Sequence, residues 1–259
     1  MTVAPVGIRC PEHAGRRPQP APAPVRQVRR AAARRGIRVA APDAIVTRVL
    51  IGIIIVVYLI SVAQGSGINA PGGPLFDKLV LNGPQVADGG WWRLIGAAFL
   101  HGGLLHIAFN VLALWWLGAP VEMALGRLRF ALLYLVSGLA GSAGALLLDP
   151  TLNTVGASGA IFGLLGAGLI LEYQATGSLA GNYLTIIVVN LALTFTISNI
   201  SIGGHLGGLV GGALGVLALS RFGRGHPVYD RLSTVGITLL VAIGVLSVLI
   251  AYWKVRGYA

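Results

Sequence analysis

Seven apolar runs, each close to the length a helix needs to cross a bilayer, leave this chain few folds to choose from. They cover about 44–64, 103–121, 129–148, 157–174, 182–200, 203–220 and 233–253. A helix rising ~1.5 Å per residue needs about 20 apolar residues to cross a ~30 Å hydrocarbon core. Inside that core every backbone N–H and C=O must be satisfied within the protein, which helices do segment by segment. The reading is an all-α membrane protein with seven transmembrane helices. Only 10% of the residues are charged, against about 25% in soluble domains. Segments 157–174 and 203–220 are short and rich in glycine, which marks them as central helices shielded from lipid.

The net charge of +11 would point to nucleic acid if the basic residues lined a folded polar face. They do not, and no nucleic-acid partner is expected. Many lie in residues 1–43, a Pro/Ala/Arg-rich stretch without apolar periodicity. Such a stretch cannot bury enough surface to offset its ordering entropy and reads as a disordered tail. It lacks the apolar centre of a secretory signal, and Pro18, Pro20, Pro22 and Pro24 would break the amphipathic helix of a transit peptide.

Basic residues also orient the spans. With the N-terminus in the cytoplasm, only Lys78, Arg93, Lys254 and Arg256 of the nineteen Lys and Arg fall outside. The C-terminus is then extracytoplasmic, and the expected location is the cell membrane. The single cysteine excludes an intramolecular disulfide. Cys10-Pro11-Glu12-His13 supplies two of the four ligands a structural zinc site needs. It is either a chance pair or what remains of a metal-binding extension lying upstream.

The longest connection, about 65–102, holds Pro71-Gly72-Gly73-Pro74, then Trp91-Trp92-Arg93 and an apolar stretch up to Leu100. A loop of this length is commonly functional or disordered. Its tryptophans favour a membrane interface, so it is expected to fold and dip into the outer leaflet.

Three non-adjacent segments bring polar residues to one depth. Segment 2 enters from outside carrying His101, His106 and Asn110; His106 and Asn110 share a helix face at i, i+4. Segment 4 enters from outside with Ser158 in its first turn, and segment 6 with His205 in its first turn. Alone, each has a plain explanation: a membrane serine bonds a backbone carbonyl, and a histidine or asparagine glues helices. His101 reads as a loop hydrogen-bonder. Together at one depth they suggest a nucleophile, its base and accessory donors, since ionisable residues in a membrane usually face a cavity or one another.

Glycines supply the geometry for that meeting. Gly204, Gly208 and Gly212 recur at i, i+4, i+8, with Gly203, Gly207, Gly211 and Gly215 on the adjacent face. Gly159 and Gly163 repeat the spacing beside Ser158. Small residues at this spacing let helix axes approach closely, although they do so in many proteins without chemistry. No acid lies within segments 2, 4 or 6 at the depth of His205. A Ser–His dyad therefore fits better than a Ser-His-Asp triad. The elbow G-x-S-x-G is absent because position 160 is alanine. No H-E-x-x-H and no phosphate-binding loop occurs, so no metal and no cofactor is expected.

Over roughly residues 45–220 these features resemble the rhomboid family of intramembrane serine proteases. The resemblance rests on Trp92-Arg93, on His101-Gly102-Gly103-Leu104-Leu105-His106 through Asn110, on Gly156-Ala157-Ser158-Gly159, and on Gly204-His205-Leu206-Gly207-Gly208 followed by Gly212. It implies a six-helix transmembrane core over 44–220 plus a seventh helix within 221–259. Ser158 would be the nucleophile and His205 its general base. His106 and Asn110, with the Ser158 N–H, would stabilise the oxyanion. Phe162 would pack on the catalytic imidazole, where the family often has tyrosine. Arg93 belongs to the family's loop motif, and Glu122 with Gly126-Arg127 would close the inner ends of segments 2 and 3. The Cys10/His13 tail is similar to the end of a zinc-ribbon extension in some bacterial members. Single-span transmembrane proteins would be the substrates, cut near the outer face after a small residue. Two other readings stay open: a catalytically dead relative that binds transmembrane clients, and a channel or transporter built around a helix break. The sequence leaves the oligomeric state undetermined.

Overall fold

The computed structural model describes residues 2–4, 7–9, 43–197, 200–220 and 234–258. They fall into two units, Met1–Asp43 and Ala44–Ala259. In the first, β1 (Thr2–Ala4) and β2 (Gly7–Arg9) pair antiparallel, with Val3 opposite Ile8. This is local order inside a stretch read from the sequence as a disordered tail. The rest of that stretch, Cys10 and His13 included, lies outside the described residues.

The second unit is a helical bundle. It runs through α1 (Ile45–Gln64), then the long loop with α2 (Pro74–Leu79), α3 (Gly83–Ala87), α4 (Arg93–Gly96) and a 3-10 turn at Ala97–Phe99. Next come α5 (Leu104–Ala113), a π turn at Leu114–Gly118 and α6 (Ala119–Leu125), which together make one rod. The remaining helices are α7 (Arg127–Leu148), α8 (Ser158–Thr176), α9 (Asn182–Thr196), α10 (Ile202–Leu219) and α11 (Thr234–Val255). The π turn has a local cause. Pro120 has no N–H and its ring crowds the carbonyl four residues back, and widening the preceding turn relieves both.

Six of these rods are long and apolar enough to cross a membrane: α1, Leu104–Leu125, α7, α8, α10 and α11. The chain is a multi-pass, all-α membrane protein, with α11 following a core that ends at α10. The run at 182–200, read from the sequence as a full span, forms a shorter helix. Its 15 residues reach roughly 22 Å at the usual rise. The backbone turns extended at Ile197, and Ser198 and Asn199 lie outside the described residues.

Half of each of α7, α8 and α10 is buried within the protein, about twice the share in α1, the rod Leu104–Leu125 or α11. The two glycine-rich segments are central, as expected, and α7 joins them. Glycine spacing explains why. One face of α10 seats Gly203 and Gly207 on Gly144 and Ala140 of α7, and the next face seats Gly208 and Gly212 on Gly159 and Gly163 of α8. Without a solvent-driven hydrophobic force inside lipid, such close backbone packing is what holds helices together. Helix α11 lays one stripe, Gly236, Leu240, Gly244, Ser247, Ala251 and Val255, against the bundle. Its Tyr252 ring lies 6.1 Å from Trp91, so its C-terminal end and the long loop share one end of the bundle.

Glu122 plays a further part beyond the one the resemblance implied. Its carboxylate accepts hydrogen bonds from Val46 N (3.0 Å), Thr47 N (2.8 Å) and Thr47 Oγ1 (2.7 Å). It thus caps the first turn of α1, where four N–H groups have no partner inside the helix. In the turn between α6 and α7 the Glu122 backbone carbonyl accepts from Gly126 N (2.8 Å), and the Gly126 φ of +83° suits glycine.

Candidate active site

The site is built on the loop that leads into α8. That loop is pinned to the long connection by a two-way bridge between Leu81 and Thr154 (3.1 and 2.9 Å), by Gly83 N–H on Pro150 O (2.7 Å) and by Gly156 N–H on Ala97 O (2.9 Å). Gly156 has φ +121°, and a Cβ there would stand 2.6 Å from His106 Nε2 and 3.8 Å from Ser158 Oγ. Glycine is therefore required twice over, by conformation and by space. Two residues on, Ser158 opens α8, whose first internal hydrogen bond runs from Ile161 N to Ala157 O (3.0 Å). The Ser158 N–H has no acceptor within the helix and lies at the positive end of the helix dipole.

His106, on α5, turns its Nε2 towards this loop while Gly102 N–H donates to its Nδ1 at 3.4 Å. Asn110 is buried one turn later, with Nδ2 donating to His106 O at 2.8 Å and Oδ1 unpartnered among the described residues. His101 is fully buried and edge-on to His106, ring centroids 5.0 Å apart. The backbone of Phe99, in the preceding turn, is the polar group beside its ring.

His205 sits in the first turn of α10, which Ser201 caps by accepting from Gly204 N at 3.1 Å. Phe162, one turn along α8 from Ser158, stacks on the His205 ring at 3.9 Å and 15°. The backbones of Gly141, Gly159 and Gly204 converge beside it: a Cβ on Gly141 would meet Gly204 O at 3.0 Å and Gly159 Cα at 3.1 Å. Ser158 and His205 therefore stand at one level on adjacent helices. Among the described residues no hydrogen bond joins their side chains.

The structure adds a residue the sequence reading passed over. Thr194 of α9 is buried, with Oγ1 2.7 Å from His205 Nδ1 and 2.7 Å from Asn190 O. Segment 5 rises towards the face where segments 4 and 6 begin, so the depth argument that selected His106 and Asn110 also reaches Thr194.

Trp92 and Arg93 brace the long loop. Arg93 Nη1 donates to Asp77 O (2.7 Å) and Val80 O (2.9 Å), and Trp92 Nε1 donates to Lys78 O (2.8 Å). Together they satisfy carbonyls at the end of α2 that its helix leaves free. The loop is folded as expected. Among the described residues no cluster of three His, Cys, Asp or Glu side chains converges as a metal site would require.

The sequence profile of the Rhomboid domain matches residues 88–222, the stretch that holds His106, Asn110, Ser158, Phe162, Thr194 and His205. The chain belongs to the rhomboid family. Its relatives include rhomboid protease GluP of Bacillus subtilis, 40% identical over 170 residues, 62% of this chain and 32% of GluP. Another protein of the same organism, YdcA, is 39% identical over 134 residues, 50% of this chain and 67% of YdcA. RHOMBOID-like protein 5 of Arabidopsis thaliana is 38% identical over 173 residues, 61% of this chain and 55% of that protein. This rhomboid thus spans about a third of GluP and about half of RHOMBOID-like protein 5.

Proposed function

We propose that this rhomboid is an intramembrane serine endopeptidase that cleaves transmembrane-helix substrates. The observation that carries the reading is the meeting of three chain segments at the start of α8. There Ser158, the His106 ring and the Phe162-stacked His205 occupy one level of the bundle.

In this mechanism His205 Nε2 takes the Ser158 hydroxyl proton as Oγ attacks the scissile carbonyl. The same nitrogen then gives the proton to the leaving amine, and water, deprotonated by His205, hydrolyses the acyl-enzyme and restores the Ser158 hydroxyl. The absence of a Ser158–His205 hydrogen bond is compatible with this, because such bonds are often long before substrate binds and tighten in the complex. The developing oxyanion meets the Ser158 N–H at the head of α8, the His106 ring and the Asn110 amide. Gly102 N–H on His106 Nδ1 leaves the ring proton on Nε2, the nitrogen beside Gly156, so His106 can donate there. Donors aimed where charge develops are worth about 10²–10³ in rate each.

Residues 44–220 form the catalytic unit in this reading, with 221–259 an added linker and helix. The N-terminus is cytoplasmic and the C-terminus extracytoplasmic, in the cell membrane, with the site near the outer face. A single-span substrate must unwind locally there, because a helical scissile carbonyl is already hydrogen-bonded. The test is digestion of a model single-span substrate by purified protein in detergent, beside Ser158→Ala and His205→Ala. Cleavage lost in both variants supports the dyad; cleavage surviving in Ser158→Ala rejects it.

A further inference from the structure

We propose that Thr194 is the positioning residue of the catalytic base: it holds the His205 proton on Nδ1 and leaves Nε2 free to accept the proton of Ser158. The inference rests on the protease reading above and deepens it. Its ground is a count of hydrogens. Thr194 Oγ1 lies 2.7 Å from Asn190 O and 2.7 Å from His205 Nδ1. A hydroxyl has one hydrogen, and a carbonyl oxygen can only accept. Both contacts are made only if the hydroxyl hydrogen goes to Asn190 O and Nδ1–H donates to the hydroxyl oxygen. A neutral imidazole with its proton on Nδ1 carries its lone pair on Nε2.

The surroundings support a dedicated role. Thr194 is 2% exposed and His205 8%, so water is poorly placed to substitute for the bond. Phe162 stacks on one face of the ring, which leaves the in-plane Thr194 contact to set its rotation. Two acids that might have served instead are held elsewhere: Glu122 caps α1, and Glu172 accepts from Asn182 N and Tyr183 N at the start of α9. In a Ser-His-Asp triad the carboxylate sets the tautomer and also stabilises the imidazolium by charge. Here a hydroxyl backed by a main-chain carbonyl sets the tautomer and supplies only a dipole. The Nδ1 proton stays where it is throughout; in acylation the moving proton passes from Ser158 Oγ through His205 Nε2 to the leaving amine, and in deacylation a proton from the attacking water passes through Nε2 back to Ser158 Oγ as the ester bond breaks.

The hydroxyl is removed without changing shape by Thr194→Val and retained by Thr194→Ser. The first readout is the rate at which Ser158 reacts with a fluorophosphonate probe in the full-length protein. Substrate docking does not enter this rate, so it isolates the nucleophile and its base. Thr194→Val should slow it on the order of tenfold, the equivalent of one lost hydrogen bond, while Thr194→Ser restores most of it. With a transmembrane substrate the loss should appear in kcat and leave KM nearly unchanged. The second readout needs no variant at Thr194: nitrogen NMR of histidine-labelled wild type, with the His205 signals assigned by difference from His205→Ala. Nδ1 should carry the proton and Nε2 should not. A proton found on Nε2, or Thr194→Val reacting at the wild-type rate, overturns the proposal. Wild type that fails to react with the probe overturns the protease reading itself, a result separate from either of these.

Discussion

Replacing Gly208 by alanine tests the claim that backbone-to-backbone packing sets the distance between the serine and histidine helices. A Cβ on Gly208 would stand 1.9 Å from Gly159 O and 2.7 Å from Gly159 C. Neither atom belongs to a flexible side chain that could swing away. Restoring an ordinary contact of 3.4 Å requires α10 and α8 to part locally by about 1.5 Å. That displacement falls beside Ser158, the neighbour of Gly159, and one turn from His205. Overpacking of this kind costs about 1–3 kcal/mol, and misplacing reacting groups by ~1 Å costs on the order of 10²-fold in rate. The matched control is Gly52→Ala on α1, where nothing lies within 4 Å of the added Cβ. Thermal denaturation in detergent gives the stability of both variants, and the fluorophosphonate reaction gives the rate of the folded fraction. Gly208→Ala should lose in both measurements and Gly52→Ala in neither. A Gly208→Ala protein indistinguishable from Gly52→Ala would refute the packing argument.

Three further outcomes are expected. Glu122→Gln replaces one acceptor oxygen with an amide that faces N–H and O–H donors; it should cost roughly 1–3 kcal/mol of stability, read as a lower Tm with an unchanged probe rate in the folded protein. Arg93→Lys should loosen the long loop, because a single ammonium cannot reproduce the directed guanidinium bonds to Asp77 O and Val80 O; faster limited proteolysis within 65–102 reads this, and wild-type resistance would contradict it. Asp149 Oδ1 accepts from Thr151 Oγ1, Thr151 N and Leu152 N, and the Thr151 hydroxyl foremost holds its pKa below the ordinary carboxylate value. A depressed native pKa contributes stability that is complete above the unfolded pKa of ~3.9 and is lost as pH falls through the lower native value. Asp149→Asn should therefore flatten the acid limb of the stability curve and leave neutral pH nearly unaffected.

Much of the bundle was legible in one dimension because membrane helices obey a length rule and a composition rule that neighbours rarely override. The starts of α8 and α10 stood where glycine-flanked Ser158 and His205 predicted, since a helix entering the membrane must begin near its polar residues. The two faces of α10 were legible as well, because the i, i+4 glycine spacing permits close contact on those faces and nowhere else. Thr194 was not. On α9 its bond to Asn190 O resembles those of Thr185 to Gly181 O and Thr196 to Ala192 O, the ordinary behaviour of membrane threonines. Only the position of α10 distinguishes it from them.

From the sequence alone came the number of apolar segments, the residues with the chemistry for a nucleophile, a base and oxyanion donors, and the small residues that let backbones touch. These are local properties, carried by residue type and spacing. Tertiary structure decided which partner each polar group meets. It sent the Glu122 carboxylate to the head of α1, Arg93 to the carbonyls of α2, and Thr194 to His205 Nδ1. A hydrogen bond depends on the approach of two atoms to within about 3 Å, and that distance is set by helices far apart in the chain packing glycine against glycine.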